Sequence, residues 1–165
     1  MNGSLAGLTD QGESREHNED GFLVFDLARG GDLPEPAGGH PFWERPLLLA
    51  VSDGMGGAAA GEVASTLTLQ ALRDHAEGAA ERLGGAEPQA LEEWLREGIL
   101  WANRRVRDAG SRDMALTGMG ATLTAAVVFP WAVVLGHVGD SRAYHLGDGQ
   151  LRQVTSDHTF VSQLI

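Results

Sequence analysis

The spacing of apolar residues divides the chain into strands, then two helices, then further strands. Short apolar runs at residues 21–27 and 47–52 have the length of buried strands. Residues 28–45 lie between them and are rich in Gly and Pro, which predicts a loop. The first third of the chain is therefore predicted to contribute two strands to a sheet.

Apolar residues then recur every three or four positions in two segments, which predicts two amphipathic helices over residues 58–75 and 89–108. The first helix has an apolar stripe made of Ala60, Val63, Ala64, Leu67 and Ala71. The second has an apolar face made of Leu91, Trp94, Leu95, Gly98, Trp101, Ala102 and Val106. Because two glycines and Pro88 separate the segments, we expect an antiparallel helix pair with both tryptophans in the core.

Alternation with a period of two returns after residue 120 and predicts an antiparallel sheet. The predicted strands span residues 121–129, 131–138, 142–146 and 151–154, with turns at Pro130 and at residues 147–149. Residues 156–165 have the spacing of a helix start. The order of strands, helices and strands predicts a layered α+β fold in which helices cover an antiparallel sheet.

Composition and charge exclude several classes of function. The chain of 165 residues has the size of one domain or part of one, and it contains no cysteine, which rules out disulfide scaffolds, thiolate zinc sites and cysteine nucleophiles. Twelve basic residues, all arginine, stand against 23 acidic ones, for a net charge of −11. This charge argues against nucleic-acid binding, and no apolar stretch has the length of a membrane span. We expect a cytoplasmic location.

Candidate chemistry lies in three acidic segments, each of which puts a carboxylate beside glycine at the end of a predicted strand. They carry Asp20, Asp53 and Asp140. Oxygen ligands without cysteine or paired histidines suit magnesium or manganese better than zinc. Arg15 could form two hydrogen bonds to a phosphate. Taken singly, each segment is an ordinary turn or a solvated acidic run, so the combination carries the hypothesis.

Together these segments resemble the metal-dependent serine/threonine protein phosphatases of type 2C, in their bacterial form. The resemblance rests on Arg15 followed by Asn18-Glu19-Asp20, on the segments at residues 53–57 and 61–65, on residues 118–124, and on Gly139-Asp140-Ser141-Arg142-Ala143-Tyr144. It covers nearly the whole chain except residues 28–45. It implies a layered α-β-β-α sandwich of two antiparallel sheets flanked by helix pairs, with a metal centre between the sheets.

The resemblance also implies a role for each site residue. Asp53 corresponds to the carboxylate that bridges two metal ions, and Gly54 to a ligand through its backbone carbonyl. Asp20 corresponds to a ligand that acts directly or through water, with Glu19 beside it as a supporting residue. Arg15 corresponds to the phosphate-binding arginine, and Asp140 to a ligand of a third, weaker metal ion.

The implied reaction is hydrolysis of phosphoserine and phosphothreonine in proteins by metal-activated water, without a phosphoenzyme. The implied cofactors are two manganese or magnesium ions bridged by a water, and the implied partners are phosphoproteins and a cognate bacterial serine/threonine kinase. Met55 replaces a histidine that eukaryotic relatives offer as general acid. The proton for the leaving oxygen must then come from metal-bound water or from another group.

Members of this family continue beyond the segment that corresponds to residues 156–165. The continuation holds a flap and two further metal-binding aspartates, one in a Ser-Asp-Gly segment and one in an Asp-Asn segment. We therefore expect residues 1–165 to form the N-terminal portion of a phosphatase domain and to turn over poorly when alone. The alternatives are a non-catalytic phosphatase-like module that binds a phosphoprotein or a regulatory partner, and a generic metal site in an unrelated hydrolase.

Overall fold

A computed structural model describes residues 3–13, 17–33, 37–40, 45–56, 60–83, 86–129 and 131–158 of the chain. Within these ranges, one antiparallel sheet forms the centre of the molecule, two helices pack on one of its faces, and two small antiparallel strand pairs lie beside it. The predicted α+β class with antiparallel sheets is confirmed.

The central sheet contains the strands that the apolar runs predict. Its strands are β2 (Asp20–Asp26), β3 (Gly31–Asp32), β5 (Leu47–Met55), β6 (Gly120–Ala121), β7 (Leu123–Val128) and β8 (Val133–Val138). They pair in the order β3-β2-β5-β7-β8, and β6 pairs with the end of β5. Side chains alternate between the two faces, so the alternate residues Leu48, Ala50 and Ser52 of β5 are buried, whereas Val51 and Asp53 are exposed.

The remaining strands form two-stranded antiparallel pairs. β1 (Gly3–Leu5) pairs with β4 (Ala37–His40), and β9 (Tyr144–Gly147) pairs with β10 (Gln150–Gln153). The turn between β9 and β10 has positive φ at Asp148 (51°) and Gly149 (71°), the backbone that a tight two-residue hairpin requires. The hairpin predicted at residues 147–149 is therefore confirmed.

The prediction of a plain loop over residues 28–45 is wrong in part, because β3 and β4 lie within it. β3 returns along β2 through a turn held by Asp26, whose buried carboxylate Oδ1 accepts the N–H groups of Ala28 and Arg29 at 3.0 Å each. A strand of two residues is too short to show an apolar period, so composition alone indicated only a loop.

The two predicted helices form and pack on each other. They are α1 (Ala60–Ala76) and α3 (Pro88–Arg112), and a short helix α2 (Ala79–Leu83) lies between them. α3 begins with proline in its first turn, where the missing N–H has no helical partner to lose. His75 near the end of α1 stacks on Trp94 near the start of α3, and Leu72 lies against Gly98, so the helices run in opposite directions. Of the helices in the described ranges, none combines the length and apolar character needed to cross a bilayer.

The core lies between this helix pair and the sheet. It includes Phe25, Leu48, Leu72, Leu91 and Trp94. The expectation that Trp101 belongs to the core is wrong, because its side chain is 39% exposed while that of Trp94 is 2% exposed. The guanidinium carbons of Arg104 and Arg105 lie 5.6 and 5.7 Å from the Trp101 ring, which places the ring in a cation–π environment at the surface.

Of the helix start predicted at residues 156–165, Ser156, Asp157 and His158 lie in irregular backbone, and the others fall outside the described residues. The carboxylate of Asp157 binds Arg142.

His75 gives the helix pair a predictable dependence on pH. Burial lowers the pKa of His75 below 6.5, opposed by the hydrogen bond from its ring Nε2 to the Trp94 carbonyl (2.9 Å). The unfolded chain then binds more protons than the folded one once the pH falls below 6.5, so stability decreases on acidification through that range. We expect His75→Gln to lose less stability on acidification than wild type, because glutamine keeps a hydrogen-bond donor but does not titrate.

The measurement is urea unfolding of both proteins at about pH 7.5 and about pH 5.5, the range in which histidine changes charge. Carboxylates elsewhere affect both proteins equally, so the difference between the two proteins in the loss of unfolding free energy from about pH 7.5 to about pH 5.5 isolates His75. An equal loss of unfolding free energy in both proteins would contradict the prediction.

Candidate metal and phosphate site

Asp20 and Asp53, far apart in sequence, are direct neighbours in the fold. Asp20 opens β2 and Asp53 lies near the end of β5, and the register of these antiparallel strands pairs them with each other. Residues paired in this way have Cβ atoms about 4.5–5.5 Å apart on the same face of the sheet. Both residues are exposed. The structure therefore brings together the two carboxylates that the sequence analysis singled out.

A cavity of about 260 Å³ lies next to this pair. Polar groups dominate its lining near the two carboxylates: Thr9, Asp10, Asp20, Ser52, Asp53 and Ser141. The cavity is bounded on the apolar side by Leu8, Phe22 and Val51. It offers oxygen atoms and no described histidine, which matches the donor preference of hard divalent cations.

The N-terminal segment is bound to the start of β2 by side-chain hydrogen bonds. The Thr9 hydroxyl donates to the Asp20 carbonyl (3.2 Å) and accepts from the Asn18 side-chain amide (2.8 Å). The side-chain oxygen Oδ1 of Asn18 in turn accepts the Asp20 N–H at 3.0 Å. These contacts bring Asp10 into the lining of the cavity, a residue that the sequence analysis did not assign to the site.

Gly54 occupies a place where no side chain fits. Its N–H donates to the Glu19 carbonyl at 3.0 Å, and a Cβ built at Gly54 would overlap the carbonyl of Gly61 in the first turn of α1. A Cβ at Gly61 would in turn overlap the Glu19 carboxylate. The two glycines thus allow the end of β5, the start of α1 and the Glu19 side chain to pack in direct contact. Glu19 lies where the N-terminus of a helix favours negative charge.

Thr122 connects Asp53 to the segment that carries Asp140. Its hydroxyl oxygen accepts the Asp53 N–H (3.0 Å) and lies 2.6 Å from the Ser141 hydroxyl, while its own N–H donates to the Asp53 carbonyl (2.8 Å). Thr122 lies in one of the segments that carry the resemblance, but its contacts could not be predicted because its partners lie 69 and 19 residues away in sequence. Its position in a Gly-Ala-Thr-Leu-Thr strand start was the available signal.

Asp140 lies one residue from this contact but does not line the cavity, and it is exposed. Within the part of the chain that the structure describes, no group of three or more His, Asp or Glu side chains is arranged to hold a metal ion. The geometry thus brings Asp20 and Asp53 together and leaves Asp140 beside them. Arg15 belongs to residues 14–16, which lie outside the described residues.

The donor chemistry fits a magnesium or manganese ion. Two carboxylates face the same side of the sheet and hydroxyl groups lie around them. Gly54 follows Asp53 and packs against Gly61, but it does not line the cavity. Asp20 and Asp53, with Asp10 also in the lining, are the charged groups among the described residues that could hold such an ion. The metal-binding roles of Asp20, Asp53, Gly54 and Asp140 stay predictions. So do the supporting role of Glu19 and the phosphate-binding role of Arg15.

The similar proteins found by comparison are named serine/threonine phosphatases. The protein named Serine/threonine phosphatase stp from Listeria welshimeri is 38% identical over 157 residues, which is 95% of this chain and 55% of that protein. Serine/threonine protein phosphatase PstP from Mycobacterium tuberculosis is 43% identical over 118 residues, 72% of this chain and 22% of that protein.

Solved structures agree in fold. The Streptococcus agalactiae serine/threonine phosphatase matches with a TM-score of 0.77 at 28% identity, over 96% of this chain and 57% of that one. The catalytic domain of PstP in complex with two manganese ions matches with a TM-score of 0.67 at 36% identity, over 95% and 56% of the two chains.

The chain thus spans about 55% of the length of the Listeria relative. Residues 41–163 match the sequence model of a family described as Protein phosphatase 2C. That match covers most of the chain and agrees with the relatives and the fold, so this chain belongs to the protein phosphatase 2C family.

Proposed function

We propose that this chain contributes to a metal-dependent phosphatase that hydrolyses phosphoserine and phosphothreonine in proteins. One observation carries the proposal: Asp20 and Asp53 oppose each other across β2 and β5, beside a polar cavity, in a chain of the protein phosphatase 2C family. The names of its relatives, which are serine/threonine phosphatases, support the same reaction class.

The proposed cofactor is a pair of manganese or magnesium ions. Asp53 and the Gly54 carbonyl would bind them together with Asp20, and Glu19 would support Asp20 from the position beside Gly61. Asp140 would bind a third, weaker ion. When bound, such ions neutralise phosphate charge and acidify a water molecule for attack on phosphorus. The manganese complex of the PstP catalytic domain supports this choice of metal.

The residues of the chain have distinct tasks around the phosphate. A phosphate dianion is repelled by two adjacent carboxylates, so a cationic group must receive it, and the guanidinium of Arg15 can do so with two hydrogen bonds. Thr122 fixes the backbone of Asp53 from both its N–H and its carbonyl side, which orients the carboxylate. Met55 is exposed next to Gly54 and carries no transferable proton, so it cannot protonate the leaving oxygen.

The proposed substrates are phosphoproteins produced by a bacterial serine/threonine kinase. Such kinases use ATP, so we propose the cytoplasm as the place of the reaction. The net charge of −11 gives no long-range attraction to acidic phosphorylated surfaces. Recognition would therefore depend on contacts close to the phosphate.

We further propose that residues 1–165 form the N-terminal portion of the phosphatase domain. Two observations support this proposal: the matched Listeria and Streptococcus agalactiae relatives are much longer, and the described residues hold no group of three or more His, Asp or Glu side chains arranged for a metal ion. Hard cations depend on charged oxygen ligands. Residues 1–165 alone are therefore expected to hold the ions weakly and to turn over slowly.

The test measures manganese-dependent phosphate release from a phosphothreonine peptide. It compares residues 1–165 with a longer polypeptide that extends past residue 165 as the gene encodes it. We expect little turnover from residues 1–165 and clear manganese-dependent turnover from the extended polypeptide. Turnover by residues 1–165 alone at the rate of an intact relative would contradict the need for further ligands. Binding of the phosphopeptide without turnover in both polypeptides would instead favour the non-catalytic module.

A further inference from the structure

A short segment after β10 lies along the loop that carries Asp140. We call residues 154–158 the strap and residues 139–143 the Asp140 loop. The Val154 N–H donates to the Ala143 carbonyl (2.9 Å), and the His158 N–H donates to the Gly139 carbonyl (2.7 Å). Backbone hydrogen bonds thus join the strap to both ends of the loop.

Side chains join the middle of the two segments. The Arg142 guanidinium binds the Asp157 carboxylate through Nε, at 3.0 Å from Oδ1 and 3.2 Å from Oδ2, and through Nη2, at 2.7 Å from Oδ2. The Ala143 N–H also donates to the Thr155 hydroxyl at 3.1 Å. The hydrogen bond from Arg142 lowers the pKa of Asp157, and the same contact raises the pKa of Arg142, so both groups are held in their charged forms.

The loop is also joined to the sheet beneath the candidate site. The Thr124 hydroxyl donates to the Ser141 carbonyl at 2.8 Å. The Ser141 hydroxyl forms a hydrogen bond with the Thr122 hydroxyl, whose oxygen also accepts the Asp53 N–H. His137 lies between loop and strap, with Nδ1 2.8 Å from the Thr124 hydroxyl and Nε2 3.1 Å from the Ser156 carbonyl. A continuous set of contacts therefore leads from the strap to Asp53.

The Arg142–Asp157 pair holds a guanidinium group in a residue close in sequence to Asp140. Arg142 is two residues from Asp140, and a guanidinium released from Asp157 could pair with the Asp140 carboxylate. Such a pair would compete with a divalent cation for the same oxygens. Asp157 directs this guanidinium toward the strap.

We propose that Asp157, acting through Arg142, is a positioning residue that holds the Asp140 loop in place for metal binding. This inference rests on the proposed function, since it assigns a role toward the metal ions of that site.

The experiment compares wild type with Asp157→Asn, Arg142→Gln and the control Arg152→Gln. Arg152 lies in β10 of the same hairpin and binds the side chain of Gln150 (2.8 Å), away from the loop. Two quantities are measured by NMR: amide hydrogen exchange at Ala143 and His158, and the manganese concentration that broadens the amide signals of Asp140 and Ser141.

We expect faster exchange at both amides in Asp157→Asn and in Arg142→Gln, because each variant removes the same ion pair. The manganese concentration for broadening should rise about tenfold in Asp157→Asn, the effect typical of groups that orient metal ligands. The rise should be smaller in Arg142→Gln, since that variant releases no competing cation. Arg152→Gln should match wild type in both measurements.

Two results separate failure of the inference from failure of the proposed function. If exchange accelerates but manganese broadens the loop signals at the wild-type concentration in both variants, the pair is only a structural brace and the inference is overturned. If manganese broadens no signal near Asp20, Asp53 or Asp140 in wild type, the proposed metal site itself is wrong.

Discussion

Replacing Asp53 by asparagine is expected to remove the stabilisation that manganese gives to the folded chain and to weaken manganese binding about a hundredfold. Asp53 faces Asp20 across β2 and β5, so the substitution leaves one charged oxygen donor where there were two. The fold should persist, because the hydrogen bonds with Thr122 use the backbone N–H and carbonyl of residue 53.

Without metal, Asp53→Asn is expected to have the opposite effect on stability. Two carboxylates about 5 Å apart in water repel each other by about 0.8 kcal/mol, and like charges in opposed positions destabilise a strand pair. Without metal, Asp53→Asn should therefore be as stable as wild type or slightly more stable. With manganese, wild type should gain stability by mass action and the variant should not.

Thermal unfolding with and without manganese measures both effects, and calorimetric titration gives the affinities. Asp148→Asn is the matched control: it also removes one exposed carboxylate, in the β9–β10 turn, and asparagine accepts the positive φ found there. A metal-induced shift in Asp53→Asn equal to that of wild type would disprove the assignment of Asp53, whereas a reduced shift in Asp148→Asn would indicate nonspecific charge binding.

The elements that the sequence predicted correctly are those whose apolar pattern extends over several turns or strand repeats. β5, α1 and α3 bury one face each, and this burial leaves a periodic pattern in the sequence. β3 and β4 have two and four residues, which is too short for a local apolar period to mark them. β3 forms a short hairpin with the preceding strand β2, whereas β4 pairs with the distant strand β1. Trp101 fits the helical period but is partly exposed, since the period identifies a stripe and not its depth.

The sequence likewise predicts some features of the site and not others. The acidic segments mark Asp20 and Asp53 as candidates, but only the strand register shows that they are opposed. Thr122 and Ser141 lie in segments that carry the resemblance, but the sequence does not show that they bond to each other or that Thr122 bonds to the backbone of Asp53. Asp10 lines the cavity beside Asp20, and no local pattern indicates this. Hydrogen bonds that span tens of residues follow from tertiary packing, which residue patterns alone do not specify.

Gly54→Ala is expected to destabilise the fold by about 3 kcal/mol or more, the upper end of the range for overpacking. The added methyl group would overlap the Gly61 carbonyl, and neither partner is the movable end of a side chain. Relief requires β5 and the first turn of α1 to separate. That movement would also displace Glu19, whose carboxylate lies against Gly61 and whose carbonyl accepts the Gly54 N–H.

Urea unfolding of Gly54→Ala against Gly31→Ala measures the steric contribution. Gly31 lies in a strand as well, but a Cβ built there meets nothing within 4 Å. Gly31→Ala should therefore match wild type or be slightly more stable, because alanine reduces the freedom of the unfolded chain. Equal stability of the two variants would mean that β5 and α1 can separate at no cost. The close contact at Gly54 would then not explain why glycine follows the central aspartate of the site.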